Sequence, residues 1–310
     1  MTALVVASTN GRIGLSDAMA VLRDGGSAVD AVVAGIRPVE ANPDDHTVGY
    51  SGFPNLLGEV ELDASLMDGK TLASGAVGAL RDYQDAILLA QYVMNELPHV
   101  LLAGDGARQF AKEMGLPPVN LLTPEAKEVW QSRLQPDALS DGDAVGQVRA
   151  LVGQMVRDPE QAAERHGTVN VIARDLAGNL ATGVSTSGWA WKYPGRLGDS
   201  PIVGAGNYAD NRWGAAACTG RGEMAQRCCT AYSVVSSLRH GLSLTDALHS
   251  AMLDLLALDD LYRSEINIVA IDREGNHAAA SSQRGKTYVY MTDAMAEPEE
   301  AERIVVAAEA

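Results

Sequence analysis

Positive charge is scarce in this sequence. Only 24 lysines and arginines stand against 40 aspartates and glutamates, a formal net charge of -16. A surface that binds a phosphate backbone needs the opposite balance, so nucleic acid is not an expected partner. Cysteine is scarcer still. Cys218, Cys228 and Cys229 are odd in number, two are adjacent, and no Cys-x-x-Cys occurs. That leaves no disulfide framework, argues against a zinc site and fits thiols kept reduced. The histidines His46, His99, His240, His249 and His277 are scattered without metal-ligand spacing. No stretch approaches the ~18 uninterrupted apolar residues of a membrane span. The start, Met1 to Ser8, lacks a basic segment ahead of a long apolar one and reads as a strand, not a signal peptide. The expectation is a cytoplasmic protein with no membrane partner, no metal and no cofactor.

What is present is enough apolar residue, 46%, to build a real core in 310 residues, as one large domain or two. Leu4–Ala7 reads as a strand and Gly14–Arg23 as a helix stopped by Gly25-Gly26. Ser27 is a candidate N-cap for a second helix running through Ile36. Glu59–Met67 alternates like a half-buried strand, Asp82–Leu97 is an amphipathic helix, His99–Ala103 a short buried strand, and Ala107–Met114 a helix closed by Gly115. From Leu116 to Arg165 the periodicity fades among five prolines, and the stretch reads as a mobile connector that tolerates cutting.

The second half is different. Val169–Ala173 and Leu180–Ser185 flank a turn at Ala177-Gly178-Asn179, and Ile266–Ile271 and Ala278–Ser281 repeat the pattern about Glu274-Gly275-Asn276. Glu223–Leu238 and Thr245–Leu256 read as helices, with Gly241 closing the first and Ser243 capping the second. The acidic run Glu297–Glu302 reads as a solvated tail. Helices around two hairpins suggest two antiparallel sheets with helices outside, a four-layer arrangement.

The residue that draws attention is Thr168, in His166-Gly167-Thr168-Val169-Asn170. Taken alone it is a threonine starting a strand. Its hydroxyl becomes a good nucleophile only beside a base, and cutting the chain at Gly167 would free its own amine for that role. Downstream come Ser185-Thr186-Ser187-Gly188, then Pro194-Gly195-Arg196-Leu197-Gly198-Asp199-Ser200-Pro201, then Cys218-Thr219-Gly220-Arg221-Gly222. Neither Gly204-Ala205-Gly206 nor Gly220-Arg221-Gly222 completes a nucleotide-binding spacing.

These blocks, with Gly25-Gly26-Ser27-Ala28-Val29-Asp30, Asp45-His46-Thr47-Val48-Gly49-Tyr50, Leu62-Asp63-Ala64 and Met67-Asp68-Gly69, resemble the N-terminal-nucleophile family of glycosylasparaginases, plant-type asparaginases and isoaspartyl peptidases. The first-half blocks are closer to the glycosylasparaginase branch. The resemblance implies an α+β, four-layer αββα sandwich over residues 1–310. The chain would be cut into 1–167, with a connector at about 116–167, and 168–310, and would form a dimer of cleaved αβ units. It implies a cofactor-free amidohydrolase acting on the β-amide of N4-substituted L-asparagine through a Thr168 β-aspartyl ester. L-asparaginase or isoaspartyl peptidase activity is the alternative, and an uncut, non-catalytic binder of aspartate-like ligands is an alternative of another class.

The resemblance also assigns roles. Gly167 and Thr168 are the autocleavage pair, and Thr186 orients the nucleophile. Arg196 takes the substrate carboxylate, whose shape its guanidinium fork matches, and Asp199 takes the substrate amine. Thr219 and Gly220 form the oxyanion hole, and Thr47 replaces a serine of the substrate site. Read without the resemblance, Thr186 is a hairpin hydroxyl and Arg196 with Asp199 a surface ion pair. Two departures stand out. Where glycosylasparaginases place a tryptophan this chain has Ser8-Thr9-Asn10, and Gly167 stands where they carry an aspartate. Trp189 and Trp191, on either side of Ala190, would face one way on a strand, lining the pocket or packing beneath a loop or against a partner subunit.

Overall fold

In the computed structural model, which describes residues 1–133, 144–157 and 167–307, the strands form two packed sheets whose alternate side chains face helices or the opposite sheet. The larger contains β1 (Leu4–Ser8), β2 (Leu62–Asp68), β3 (Ser74–Leu80), β4 (Leu101–Ala103), β5 (Val169–Arg174), β6 (Leu180–Thr186), β11 (Thr287–Thr292) and β12 (Glu299–Glu302). The smaller contains β7 (Asn207–Asp210), β8 (Gly214–Gly220), β9 (Ile266–Asp272), β10 (His277–Ser281) and β13 (Ile304–Val305). Their orders are β12-β11-β1-β5-β6-β2-β3-β4 and β13-β10-β9-β8-β7. Pairing is antiparallel except at two edges, β3–β4 and β10–β13.

On β1, Val5 and Ala7 face helices while Leu4 and Val6 face the other sheet; on β5, Val171 and Ile172 divide the same way. The inter-sheet face of β8 is Ala215 and Ala217, whose small side chains let the two sheets approach closely. Helices α1 (Leu15–Arg23), α2 (Ala28–Glu40), α3 (Ala86–Glu96) and α4 (Gly104–Glu113) cover the large sheet. The small sheet is covered by α7 (Gly222–Cys228), α8 (Thr230–Arg239) and α9 (Leu244–Leu256). The result is the four-layer αββα sandwich. Caps fall where expected: Ser27 accepts Asp30 N, and Ser243 accepts Asp246 N.

Several expectations need correction. The Glu59–Met67 alternation is a strand buried on both faces, because β2 lies inside the sheet with helix on one side and sheet on the other. The short strand at 101–103 is an exposed edge, not buried. The supposed connector contains α5 (Pro124–Arg133) and α6 (Ala144–Arg157). Pro124 begins its helix, a position that wastes no hydrogen bond, so proline was misleading as a sign of irregular chain. Residues 134–143 and 158–166 of that connector, His166 included, lie outside the described residues. Cys229, at φ 47°, splits the long helix read at 223–238 into α7 and α8. The first N–H groups of α8 bond the carbonyls of Ala205 and Gly204, which gives that glycine pair a structural task. The acidic tail is not free: Glu299–Glu302 is an edge strand on β11.

Glu40, at the end of α2, is fully buried. Its Oε1 accepts Ile87 N at 2.9 Å, serving the start of α3, and Ser185 Oγ at 2.5 Å, the residue before Thr186. Burial pushes its carboxyl up to about 8, against the pull of those hydrogen bonds. With the folded value above the unfolded one, the native state keeps a proton the unfolded chain has lost. Stability contributed here is therefore full below about 4.5 and lost as pH rises toward about 8. Glu40→Gln should leave the melting temperature nearly unchanged at acidic pH and raise it at alkaline pH, as read by thermal unfolding across that window.

Candidate active site

The site forms where several strand ends converge. Thr168 immediately precedes β5, Thr186 ends β6, and Thr219-Gly220 ends β8. Cross-strand register brings these ends together, with Val169 opposite Ser185 and Thr219 opposite Asn267. Ser8, at the end of β1, fixes the backbone after the nucleophile candidate. Its N donates to Asn170 Oδ1 at 2.9 Å, and its Oγ accepts Asn170 N at 3.1 Å.

The Gly167–Thr168 peptide is held from two sides. Thr186 Oγ1 donates to Gly167 O at 2.6 Å while accepting Gly188 N at 2.9 Å. The hydroxyl expected to orient the nucleophile thus sits on the carbonyl that the nucleophile would attack. On the other side Thr47 packs against Gly167: a Cβ there would lie 2.8 Å from Thr47 Cβ and closer still to Thr47 Oγ1. Thr47 is fixed by Asp45 Oδ1, which accepts its N at 2.9 Å and its Oγ1 at 2.5 Å, and by Ser187 N, which donates to Thr47 O at 2.8 Å. Thr47 is therefore a neighbour of the candidate scissile peptide.

Two cavities meet at Gly167, Thr168 and Gly220. The larger, of 780 Å³, is bordered by Ser8–Asn10, by Asp45, His46 and Phe53, and by Thr219, Asn267 and Arg303. His46 and Phe53 stack at 4.9 Å between ring centres, giving it an aromatic surface where Ser8-Thr9-Asn10 supplies none. The smaller holds Arg196, Gly198, Asp199 and Trp189, and only 10 Å³ of it is open, about one water's worth. The structure thus brings Thr168, Thr186, Thr219, Gly220, Arg196 and Asp199 around one point. Gly220 has φ 113°, and a Cβ there would strike Glu265 O, so only glycine fits.

The small cavity is electrostatically dense. Arg196 Nε donates to Glu223 Oε1 at 3.0 Å, and Arg221 Nη1 lies 3.0 Å from Glu223 Oε2. Arg196 and Asp199 are therefore no surface pair. Asp199 is buried and its Oδ2 has no hydrogen-bond partner among the described residues. Burial raises its carboxyl to about 7, with the Arg196 charge pulling the other way. Lys192 is buried behind this cavity, its Nζ donating to Glu61 O at 3.0 Å and lying 4.0 Å from Asp63 Oδ2. Burial depresses its pKa, with Asp63 opposing. The two tryptophans part company because 187–191 is a turn, with Trp191 at φ 63°. Trp191 packs with Phe53, Leu56 and Ala126, while Trp189 lines the small cavity beneath Arg221, 4.9 Å from ring centre to guanidinium.

No group of three or more histidines, cysteines or carboxylates suited to a metal occurs among the described residues. Nor is any helix among them long and apolar enough to cross a membrane.

The sequence model of a family described as asparaginase matches residues 12–298. The chain belongs to the asparaginase family. It is 35% identical over 274 residues to an N4-(β-N-acetylglucosaminyl)-L-asparaginase of Elizabethkingia miricola, covering 87% of this chain and 75% of the relative. It is 36% identical over 295 residues to an isoaspartyl peptidase/L-asparaginase of Danio rerio, covering 91% and 88%.

Within this asparaginase fold, sequence reasoning missed Glu223, Lys192, Phe53, Asn267 and Arg303. Glu223 and Lys192 carried a signal as charges inside runs of small and aromatic residues. Arg303 carried none, because it directly follows what read as a solvated tail. Replacing Lys192 with Met should strand the buried Asp63 carboxylate and cost about 3–5 kcal/mol of stability, measurable by denaturant unfolding.

Proposed function

We propose that the chain is a self-activating threonine amidohydrolase that cleaves the side-chain amide of N4-substituted L-asparagine. The observation that carries this reading is the placement of the Gly167–Thr168 peptide. Its carbonyl accepts the Thr186 hydroxyl at 2.6 Å, and it lies where the two cavities meet. When Thr168 Oγ attacks that carbonyl, negative charge grows on Gly167 O, where a donor is already in place. The hydroxyl proton passes to the Thr168 nitrogen as the peptide bond breaks, leaving an ester that water opens. The freed amine, with a reference pKa of ~7.7–8.0, then serves as base near neutral pH.

Substrate follows the same chemistry. Thr168 Oγ attacks the side-chain carbonyl, Thr219 and Gly220 supply donors to its oxygen, and the proton leaves with the departing amine. Water then releases aspartate from the β-aspartyl ester. Arg196 takes the α-carboxylate and Asp199 the α-ammonium, which is why a guanidinium and a carboxylate are buried together in a small cavity. Freeing the chain before Thr168 opens that cavity, since Gly167 borders it. A space of 780 Å³ on the other side far exceeds what ammonia needs, which favours a substituted amide over free asparagine. The Elizabethkingia relative's name points to a glycosylamine leaving group, the Danio relative's to an amino acid, peptide or ammonia. A dimer of cleaved units in the cytoplasm completes the proposal.

Hydrolysis of L-asparagine, β-aspartyl-leucine and N-acetylglucosaminyl-asparagine, assayed side by side, tests the reading. Release of aspartate from one of them, lost in Thr168→Ala, is expected. No release from any would favour the non-catalytic binder. Thr186→Val should slow self-cleavage by roughly 10²–10³-fold, read as band conversion over time. Gly167→Ala should also block it, with partial recovery in the Thr47→Gly background. Because Asp199 keeps its proton up to about 7, KM for substrate should rise as pH falls through that value. A flat KM profile would contradict the role given to Asp199.

A further inference from the structure

Arg221 follows the oxyanion candidate Gly220 and stands at the N-cap of α7. It does not line either cavity, yet its side chain is only 9% exposed. Its guanidinium lies 4.9 Å from the ring centre of Trp189, which lines the small cavity, and 5.7 Å from that of Tyr262. Nη1 is 3.0 Å from Glu223 Oε2, and Nη2 is 3.7 Å from Asp260 Oδ1. The other oxygen of Glu223 belongs to Arg196, with Nε at 3.0 Å and Nη2 at 2.9 Å from Oε1. Asp260 Oδ2 lies 3.6 Å from Arg227, which is half exposed. Guanidinium and carboxylate thus alternate from the cavity to the surface: Arg196, Glu223, Arg221, Asp260, Arg227.

The alternation decides what Arg196 can offer. Its Nε edge is taken up by Glu223, while Nη1 faces the small cavity: a Cβ at Gly198 would lie 2.8 Å from it and one at Gly188 3.3 Å. A guanidinium paired one to one with a buried carboxylate carries no net charge toward a ligand. Here Glu223 is shared between two guanidiniums, so the group of three keeps a surplus of one positive charge. Burial acts to raise the Glu223 carboxyl, and the pull of Arg196 and Arg221 overcomes it, leaving the pKa lowered. The other charges nearby are engaged elsewhere. Lys192 faces Asp63 and Glu61, and Asp199 is the carboxylate set aside for the substrate ammonium.

We infer that Arg221 is a positioning residue for recognition of the substrate α-carboxylate, acting through Glu223 so that Arg196 stays fixed in orientation yet uncancelled in charge. The inference rests on Arg196 as the carboxylate-binding residue of the proposed function. The rings of Trp189 and Tyr262 suit the task, because they hold a flat cation in place without adding a negative charge. Neutralising Arg221 leaves Glu223 to pair with Arg196 alone, and neutralising Glu223 as well returns the charge to Arg196.

Calorimetric titration of L-aspartate into the purified protein after incubation tests this, beside L-aspartic acid α-amide, which lacks the α-carboxylate. Arg221→Met should weaken L-aspartate about tenfold and leave the α-amide within about twofold. Adding Glu223→Gln should bring L-aspartate back to within about threefold of the unmutated protein. Two losses that merely add, equal weakening of both ligands, or unchanged aspartate binding in Arg221→Met overturns the inference. Should Arg221→Met not fold, the double variant, which strands no buried carboxylate, decides alone: retained aspartate binding supports the inference, and a loss of about tenfold overturns it. An unmutated protein that binds no aspartate overturns it too. Aspartate binding with the predicted pattern but no hydrolysis of any substrate supports the inference and overturns only the role of Thr168.

Discussion

The hydrogen bond from Thr186 to the carbonyl of Gly167 fixes the one peptide on which the proposed chemistry depends. It requires β5 and β6 to pair in a single register, because a slip of one residue would turn Thr186 to the opposite face. That register is set by a hairpin with a tight turn and by alternate burial between helices and the second sheet. Thr47 closes the other side of Gly167, and Asp45 and Ser187 hold Thr47 in turn. The local contacts therefore draw on elements from both halves of the sequence.

Charge is distributed unevenly around this peptide. Around the small cavity, the charges of Asp63, Glu61 and Arg196 act on Lys192, those of Arg196, Glu223 and Asp63 on Asp199, and those of Arg196 and Arg221 on Glu223. Such groups are costly to bury and are kept where orientation matters more than stability. The large cavity is roomier, part aromatic and part polar, with charges of both signs on its wall. In the proposed reaction one side would read the fixed head group tightly, and the other would tolerate variation in what departs.

Much of the architecture was legible from hydrophobic period and turn chemistry. β5–β6, β9–β10, Ser27, Ser243 and Gly241 all stand where the residues place them. The candidate site positions were legible through resemblance, and the fold does bring Thr168, Thr186, Arg196, Asp199, Thr219 and Gly220 together. What was not legible depends on long-range packing. β2 is buried on both faces because a helix and a second sheet cover it, which local alternation does not reveal. The acidic arm becomes a strand because β11 offers an open edge. Arg303 becomes a cavity residue only because β12 and β13 join different sheets. The left-handed Cys229 likewise follows from the docking of α8 on the Gly204–Gly206 turn, not from any local preference.

The central claim is that Thr168 ends as the first residue of a separate chain. Intact mass spectrometry of the purified protein after prolonged incubation tests it most directly. The account predicts two polypeptides whose masses place the cut between Gly167 and Thr168, and one uncut polypeptide for Thr168→Ala. A protein that hydrolyses its substrate while remaining one full-length chain, or one cut at another bond, would contradict it.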